Sequence, residues 1–200
     1  MPDDRYAGHP GPGRPALPPG SLVLLAGLPG AGKSTLLDRL YRLTGTETEP
    51  VRAGDVRVID SRQSRNWWSR YLRPINPRLR TPIVHTTHVW RIVRELLRGH
   101  AVIAHTRGTW PHILYGLSWL ARRAGAQAHL ILLDVDADTA LRGQRDRGRV
   151  VAAPAFARHR RRWNRVMAQA RSGSLPPAES VVILTRASAD RLRAIHFDGP

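Results

Sequence analysis

The segment Gly27–Ser34 contains the residues whose types and spacing most clearly predict chemistry. It reads GLPGAGKS, which satisfies the pattern G-x-x-x-x-G-K-[ST]. It follows the apolar run SLVLLAG and precedes KSTLLDRLYRL, whose leucines recur at helical spacing. A glycine-rich turn between a strand and a helix lets backbone N–H groups converge on phosphate groups, and the positive end of the helix dipole strengthens their field. The segment therefore predicts a phosphate-binding loop.

Lys33 is the only lysine in a chain that otherwise builds its positive charge from arginine. A compact ammonium fits among β- and γ-phosphate oxygens, whereas a planar guanidinium is too wide for that position. The hydroxyl of Ser34 is the expected Mg²⁺ ligand. We therefore expect ATP and Mg²⁺ as cofactors. The expected nucleotide-binding residues are Gly27, Leu28, Pro29, Gly30, Ala31, Gly32, Lys33, Ser34 and Thr35.

Asp60 ends the apolar segment VRVID, immediately before the predicted helix 61–72. In a parallel sheet this position lies at the carboxyl edge, where ligands bind. We expect Asp60 to be the general base that orients and deprotonates an acceptor hydroxyl, or to hydrogen-bond a water of the magnesium shell. The alternative role is a cap of the helix that follows. The strand AVIAH runs into His105 and Thr106. The carboxylate usual beside a phosphate loop is thus missing, which predicts weak metal binding or turnover if this strand neighbours the loop strand.

Three arginines in LRGQRDRGR, Arg142, Arg145 and Arg149, are spaced by three and four residues. One helical face could present them together to the charge on a transferred phosphoryl group, carried by a segment that closes over ATP. The alternative is a solvated face in an arginine-rich chain.

His85 and His88 lie one helical turn apart in the third predicted helix. Two histidines at this spacing could bind a metal, but no third ligand is evident. A hydrogen-bonded core position, or a position in the wall of a pocket, is favoured.

The formal net charge of +17 and the pI near 11.7 are compatible with a nucleic-acid partner. The arginines are scattered over nearly every segment, however, so such a partner is not favoured. The absence of cysteine excludes disulfides, a thiolate nucleophile and a cysteine zinc site. No apolar run is long enough to span a bilayer and no secretory signal is evident, so we expect a cytoplasmic protein without a membrane partner.

Strands alternate with helices along the chain, which predicts one α/β domain at residues 21–200. The expected architecture is a parallel sheet of about five strands covered by helices on both faces. Residues 1–20 are rich in proline and glycine and are expected to form a disordered tail. The predicted strands are 21–27, 56–60, 101–105, 128–136 and 180–185, and the predicted helices are 33–43, 61–72, 82–98, 109–125, 137–148 and 154–170, with a short terminal helix after the last strand.

The chain resembles the kinase-like branch of the P-loop nucleoside-triphosphate-binding proteins, often labelled AAA-type ATP-binding proteins. This branch includes gluconate kinases, chloramphenicol phosphotransferases, zeta-type toxins and the kinase half of polynucleotide kinases. The resemblance covers residues 21–196 and is carried by GLPGAGKST, VRVIDSRQSR and LDVDADTALRGQRDRGR. The first motif is highly specific and the other two are loose.

The resemblance implies a three-layer P-loop fold with a lid. It implies that Asp60 and Arg65 face the acceptor, and that Arg145 and Arg149 act from the lid. It also implies that residues 184–188 lie near the adenine of ATP.

Three functions are consistent with these patterns. The favoured one is an ATP- and Mg²⁺-dependent phosphotransferase, with Lys33 and Asp60 among its catalytic residues. Its small hydroxylated acceptor would lie between the end of the second strand and the helix of His85 and His88. The others are a nucleotide-dependent switch or slow ATPase that acts through a partner, and a kinase of nucleic-acid ends.

Overall fold

The computed structural model describes residues 17–106, 111–146, 148, 151–173, 175 and 178–197, without the side chains of residues 77, 78 and 111. Strands and helices alternate over most of the chain. The elements are β1 (Leu22–Gly27), α1 (Lys33–Tyr41), β2 (Val51–Ala53), β3 (Val56–Ile59), α2 (Ser61–Ser69), α3 (Pro77–Leu97), β4 (Ala101–His105), α4 (Pro111–Arg123), β5 (Ala128–Asp134), α5 (Ala137–Arg145), α6 (Ala153–Arg171), β6 (Ser180–Thr185) and α7 (Arg186–Arg191).

The six strands form one sheet in the order β2-β3-β4-β1-β5-β6. Every neighbouring pair is parallel except β2 and β3. All six residues of β1 are buried, as expected for a central strand whose two faces are both covered. Parallel pairing brings the carboxyl ends of β3, β4, β1 and β5 to one edge, where α/β proteins bind ligands. The predicted α/β class is confirmed, with six strands.

The strand that sequence analysis missed is β2. It spans Val51–Ala53 and forms an antiparallel hairpin with β3. The turn uses Gly54, whose φ of +61° lies in the left-handed region. Three residues are too few to show a recognisable alternation, so the pattern gave no signal.

The start of α3 differs from the prediction. The helix begins at Pro77, and Pro82 lies inside it. Proline is well tolerated at the first helical position, where no intrahelical bond needs its N–H. The N–H groups of Leu79 and Arg80 both donate to the carbonyl of Asn76, at 2.9 and 3.2 Å. The other differences are small: α1, α2, α4 and α5 end two or three residues earlier than predicted.

Buried charged side chains on α3 fix its position against the sheet. Arg91 is 2% exposed and donates to the Thr48 carbonyl at 2.7 Å and to the Glu49 carboxylate at 2.8 Å. One turn later, the buried carboxylate of Glu95 lies 2.9 Å from the ring of His100, just before β4. These contacts tie α3 to both the β2 and the β4 sides of the sheet. They therefore also place the histidines of α3.

Residues near the two ends of the chain contact each other. Leu17 forms an isolated parallel bridge with Phe197, and its N–H donates to the carbonyl of His196 at 3.0 Å. The packed domain thus begins no later than Leu17, before the boundary at residue 20 that composition suggested. Residues 1–16 of the expected tail lie outside the described part of the chain.

None of the helices within the described residues is both long enough and apolar enough to cross a bilayer.

Candidate nucleotide and acceptor site

The loop between β1 and α1 requires glycine at two positions. Gly30 and Gly32 both have φ of +93°, a conformation that residues with a Cβ rarely adopt. Gly30 also packs against the backbone of α5, because a Cβ added there would lie 1.9 Å from the carbonyl oxygen of Ala140. Within the loop, Ala31 N–H donates to the carbonyl of Leu28 at 3.0 Å. The loop therefore has the tight curvature that a phosphate-binding loop needs.

The ammonium of Lys33 lies at this loop. Lys33 is the first residue of α1 and is 5% exposed. Its Nζ donates to the carbonyls of Gly27 and Leu28, each at 2.8 Å. Ser34 and Thr35 follow in the first turn of α1, half-buried and exposed respectively. The residues present thus fit a triphosphate: a glycine-dependent turn, a helix N-terminus, one compact cation and a hydroxyl.

The hydroxyl of Ser34 is the group of the loop that could bind a metal ion. Among the described residues, no group of three or more histidine, aspartate or glutamate side chains could hold an ion. A hydroxyl at this position fits Mg²⁺ when the remaining ligands are phosphate oxygens and water. The predicted magnesium position is compatible with the loop.

Thr106 follows β4, the direct neighbour of the loop strand. The N–H of Thr106 donates to the carbonyl of Leu25 at 2.9 Å, and the side chain is 6% exposed. Its hydroxyl has no hydrogen-bond partner among the described residues. The strand without a terminal carboxylate is thus one of the two beside the P-loop strand, so an acidic contribution to metal binding does not come from this position.

Asp60 is buried, caps α2 and lies close to two basic side chains, Arg62 and His105. Its Oδ1 accepts from Arg62 N–H at 2.7 Å, and its own N–H donates to Gln63 Oε1 at 3.1 Å, which forms a capping box with α2. Its Oδ2 lies 3.3 Å from the Arg62 guanidinium, and its Oδ1 lies 3.7 Å from Nδ1 of His105. Burial alone would raise the pKa of Asp60. The interactions with His105 and Arg62 outweigh burial and hold that pKa well below its usual range.

A narrow cleft lies between α2, α3, α4 and the end of β4. The polar residues in its wall are Ser61, Arg65, His85, His88, His105 and Thr106. The aliphatic residues in its wall are Val84, Val89, Ile92, Ile113, Leu114 and Leu117. Three of the four predicted acceptor residues, Arg65, His85 and His88, therefore line one cavity. The fourth, Asp60, lies behind the wall rather than in it.

His88 is a neutral histidine in the cleft wall. It is 3% exposed, and its Nε2–H donates to the carbonyl of His105 at 2.7 Å. Burial, and secondarily the neighbouring ring of His105, lower the pKa of His88 to about 3. Its Nδ1 has no hydrogen-bond partner among the described residues. This nitrogen is itself buried.

Two arginines, Arg145 and Arg149, are predicted to act from the lid. Arg145 is exposed in the last turn of α5, and Arg149 lies outside the described residues. Gln144, which sequence analysis missed, contacts the loop. Its Nε2 donates to the carbonyl of Pro29 at 2.9 Å, and its Oε1 accepts from Val151 N–H at 2.9 Å. The signal for Gln144 was its spacing of four from Ala140 on the buried face of α5.

The predicted adenine segment lies beside the phosphate loop. Arg186 begins α7, and a Cβ added to Gly32 would lie 3.1 Å from its guanidinium. The same guanidinium lies 3.2 Å from the carboxylate of Asp190. Residues 184–188 therefore adjoin the loop at the carboxyl end of β6.

A family profile described as an AAA domain matches residues 22–172. The chain belongs to this AAA domain family. No curated protein matches the sequence.

Solved structures share the fold of this AAA domain. A component of the PezAT toxin–antitoxin system of Streptococcus pneumoniae is 15% identical, with a TM-score of 0.60 over 88% of this chain and 72% of the other. A candidate kinase of Chloroflexus aurantiacus J-10-fl is 15% identical, with a TM-score of 0.54 over 88% and 90%. The tunicamycin resistance protein of Deinococcus radiodurans is 12% identical, with a TM-score of 0.50 over 90% and 99%. At these identities the likeness shows the fold alone, and the predicted P-loop kinase-like fold is confirmed.

Gly30→Ala should damage the loop far more than Gly99→Ala. Both glycines have positive φ, so each substitution adds about 1–2 kcal/mol of backbone strain. A Cβ at Gly99 meets no atom within 4 Å, whereas one at Gly30 collides with the Ala140 carbonyl. Urea unfolding should show about 1–3 kcal/mol of further destabilisation in Gly30→Ala, and titration calorimetry should show that it loses ATP binding. Equal losses of stability in the two variants would contradict this packing.

Lys33→Ala and Lys33→Arg should each weaken ATP binding at least about tenfold, because neither side chain places a compact cation among phosphate oxygens. Titration calorimetry with MgATP measures the effect, and circular dichroism should show an intact fold. Arg52→Ala, which removes an exposed cation outside the site, is the charge-matched control and should bind normally. Wild-type affinity in Lys33→Arg would show that charge alone is sufficient.

Asp60→Asn should destabilise the protein near pH 7 by on the order of 2 kcal/mol, because asparagine keeps the helix cap but loses the buried charge. Since the folded-state pKa of Asp60 is depressed, its contribution is present above the unfolded pKa near 4 and is lost at lower pH. The difference from wild type in urea unfolding should therefore shrink as the pH falls below about 4. Asp136→Asn, at the exposed cap of α5, should have a smaller effect, and an equal effect would reduce Asp60 to a cap.

Proposed function

We propose that this AAA domain is an ATP- and Mg²⁺-dependent phosphotransferase that acts on a hydroxyl group of a small molecule. The observation that carries the proposal is the adjacency of two binding surfaces. The phosphate loop follows β1, the cleft adjoins the end of β4, and Leu25 pairs with His105 in register. Neighbouring strands are about 4.8 Å apart. A γ-phosphate at the loop and a hydroxyl in the cleft could therefore approach each other.

The proposed roles follow from charge and position. The loop amides and the Lys33 ammonium would hold the β- and γ-phosphates, and Ser34 would hold Mg²⁺, which neutralises charge on the phosphates. Arg65 would bind the acceptor or the transferred group from the cleft wall. Arg145 and Arg149 would approach from the segment after α5 when that segment closes.

The cleft wall favours an acceptor with an apolar body. Six of its side chains are aliphatic, and they match an apolar surface on the acceptor better than they match hydroxyl groups. The polar residues of the wall, among them Ser61 and Arg65, would bind the hydroxyl group at the other end of the acceptor. A compound with an aromatic or aliphatic body and one reacting hydroxyl satisfies both surfaces. We place the reaction in the cytoplasm, where ATP and Mg²⁺ are supplied.

A second candidate function is a slow ATPase or switch that acts through a partner. Thr106 favours it, because the position beside the loop strand has no carboxylate to support the metal ion. Release of ADP that no added acceptor increases would support this candidate.

An acceptor panel tests the primary proposal. Purified protein with MgATP is offered gluconate and shikimate as polyols, 3-phenyl-1-propanol and 4-phenyl-1-butanol as apolar alcohols, and an oligonucleotide with a free 5′ hydroxyl. We expect ADP release and a phosphorylated product with an apolar alcohol, and no product with the polyols. Transfer to the oligonucleotide alone would instead identify a nucleic-acid-end kinase.

A pair of neighbouring substitutions tests whether the cleft is the acceptor site. Ile113→Asp places a charge in the apolar wall and should raise the KM for the alcohol at least about tenfold, the cost of an unpaired charge on an apolar surface. The KM for ATP should not change. His112→Asp alters the preceding residue, which is exposed and not part of the wall, and should leave both values unchanged. Equal effects of the two substitutions would move the acceptor site elsewhere.

A further inference from the structure

The carboxylate of Asp60 does not reach the cleft. Its side chain is 1% exposed and is engaged by Arg62 and by the ring of His105. Asp60 is absent from the cleft wall. A general base must lie within hydrogen-bonding distance of the proton that it removes, directly or through one water. Asp60 therefore needs an intermediary to act on an acceptor in the cleft.

His105 lies between Asp60 and the cleft. Its side chain is 13% exposed and forms part of the cleft wall. Its Nδ1 lies 3.7 Å from Asp60 Oδ1 and 3.5 Å from Ser61 Oγ. In the neutral ring the carboxylate on this side favours a proton on Nδ1, which leaves the lone pair on Nε2, whereas the Ser61 hydroxyl can either donate or accept.

The backbone of His105 is held from two sides. It pairs with Leu25 of β1, and its carbonyl accepts from Nε2–H of His88 at 2.7 Å. His88 is neutral because of burial, and its Nε2 already carries a proton. The ring of His105 therefore stands at a fixed point beside the strand that enters the phosphate loop.

Few other groups around His105 could take a proton. From α2, Arg62 and Arg65 are permanently protonated cations. From α3, His88 is committed to the carbonyl of His105, and His85 lies in the same cleft wall. The described cleft residues of α4 are all aliphatic. His85 is thus the competing base, and the experiment must separate the two.

We propose that His105 removes the proton from the acceptor hydroxyl and that Asp60 is its positioning residue, an inference that rests on the proposed function. The acceptor O–H proton moves to Nε2 as the oxygen bonds to the γ-phosphorus. The bond from that phosphorus to the β–γ bridging oxygen breaks, and ADP leaves with the electron pair. The imidazolium then releases its proton to solvent. ATP and the alcohol thus give ADP, the phosphorylated alcohol and one proton.

The first test replaces the base while keeping its contact with Asp60. In His105→Asn the amide takes the place of Nδ1, but no atom replaces Nε2. With MgATP and 3-phenyl-1-propanol, kcat should fall at least about 100-fold, whereas ATP affinity and the unfolding midpoint should stay at wild-type values. His112→Asn, at an exposed histidine outside the cleft, should retain full activity. Retained kcat in His105→Asn, with a loss in His85→Asn, would overturn the assignment in favour of His85.

Chemical rescue separates a proton acceptor from a structural residue. In His105→Gly, added imidazole should raise kcat at least about tenfold in a concentration-dependent way, since imidazole can supply the missing base. Imidazole should not rescue Lys33→Ala. Absence of rescue in a folded His105→Gly protein that still binds ATP would count against the proposal.

A spectroscopic readout does not depend on turnover. Long-range ¹H–¹⁵N correlation spectra of the wild type, assigned by comparison with His105→Asn, should show the neutral ring of His105 with its proton on Nδ1. A proton on Nε2 would overturn the proposal, because the nitrogen assigned to accept the proton would have no lone pair. If the wild type transfers phosphate and His105→Asn does so at the same rate, the role of His105 is rejected and the proposed function is kept. Absence of ATP binding by the wild type would reject the proposed function instead.

Discussion

The site depends on the register of β1 between β4 and β5. Hydrogen bonds pair Leu22 to Leu25 with β4 and Leu22 to Gly27 with β5, so β1 is held from both sides along its length. Because the strands are parallel, this pairing brings the phosphate loop and the end of β4 to one edge. A shift of one residue would turn every β1 side chain to the opposite face and carry the loop away from the cleft. The buried β1 residues therefore fix geometry as well as stability.

The sequence predicted the elements whose signals are local. The phosphate loop needs a fixed order of glycines, lysine and serine, and the long strands need continuous apolar runs, so both can be recognised in a short window. The wall of the cleft is different, because it combines residues from α2, α3, α4 and β4. Even so, the predicted helix of His85 and His88 does border this cleft beside Arg65. The helical spacing of His88 with Val84 and Ile92 is typical of an inward-facing position.

Contacts between distant residues explain what the sequence did not show. Asp60 and His105 are far apart in the chain, and only the pairing of β3 with β4 brings their ends together. Gln144 lies between arginines in the sequence, so the charge pattern drew attention away from it. Its contact with the loop depends on burial, not on charge. The role of the two candidate lid arginines stays a prediction, because Arg145 is exposed and Arg149 lies outside the described residues.

The two hydrogen bonds of Gln144 connect α5 to the phosphate loop and to the segment before α6. One joins the phosphate loop at Pro29, and the other joins Val151, just before α6. Since this amide is buried, losing either bond without a replacement would cost about 1–3 kcal/mol. A triphosphate that shifted the Pro29 carbonyl would therefore move Gln144 and Val151 with it, or break one of the two hydrogen bonds of Gln144. The position of the loop and the start of α6 thus depend on the same buried side chain.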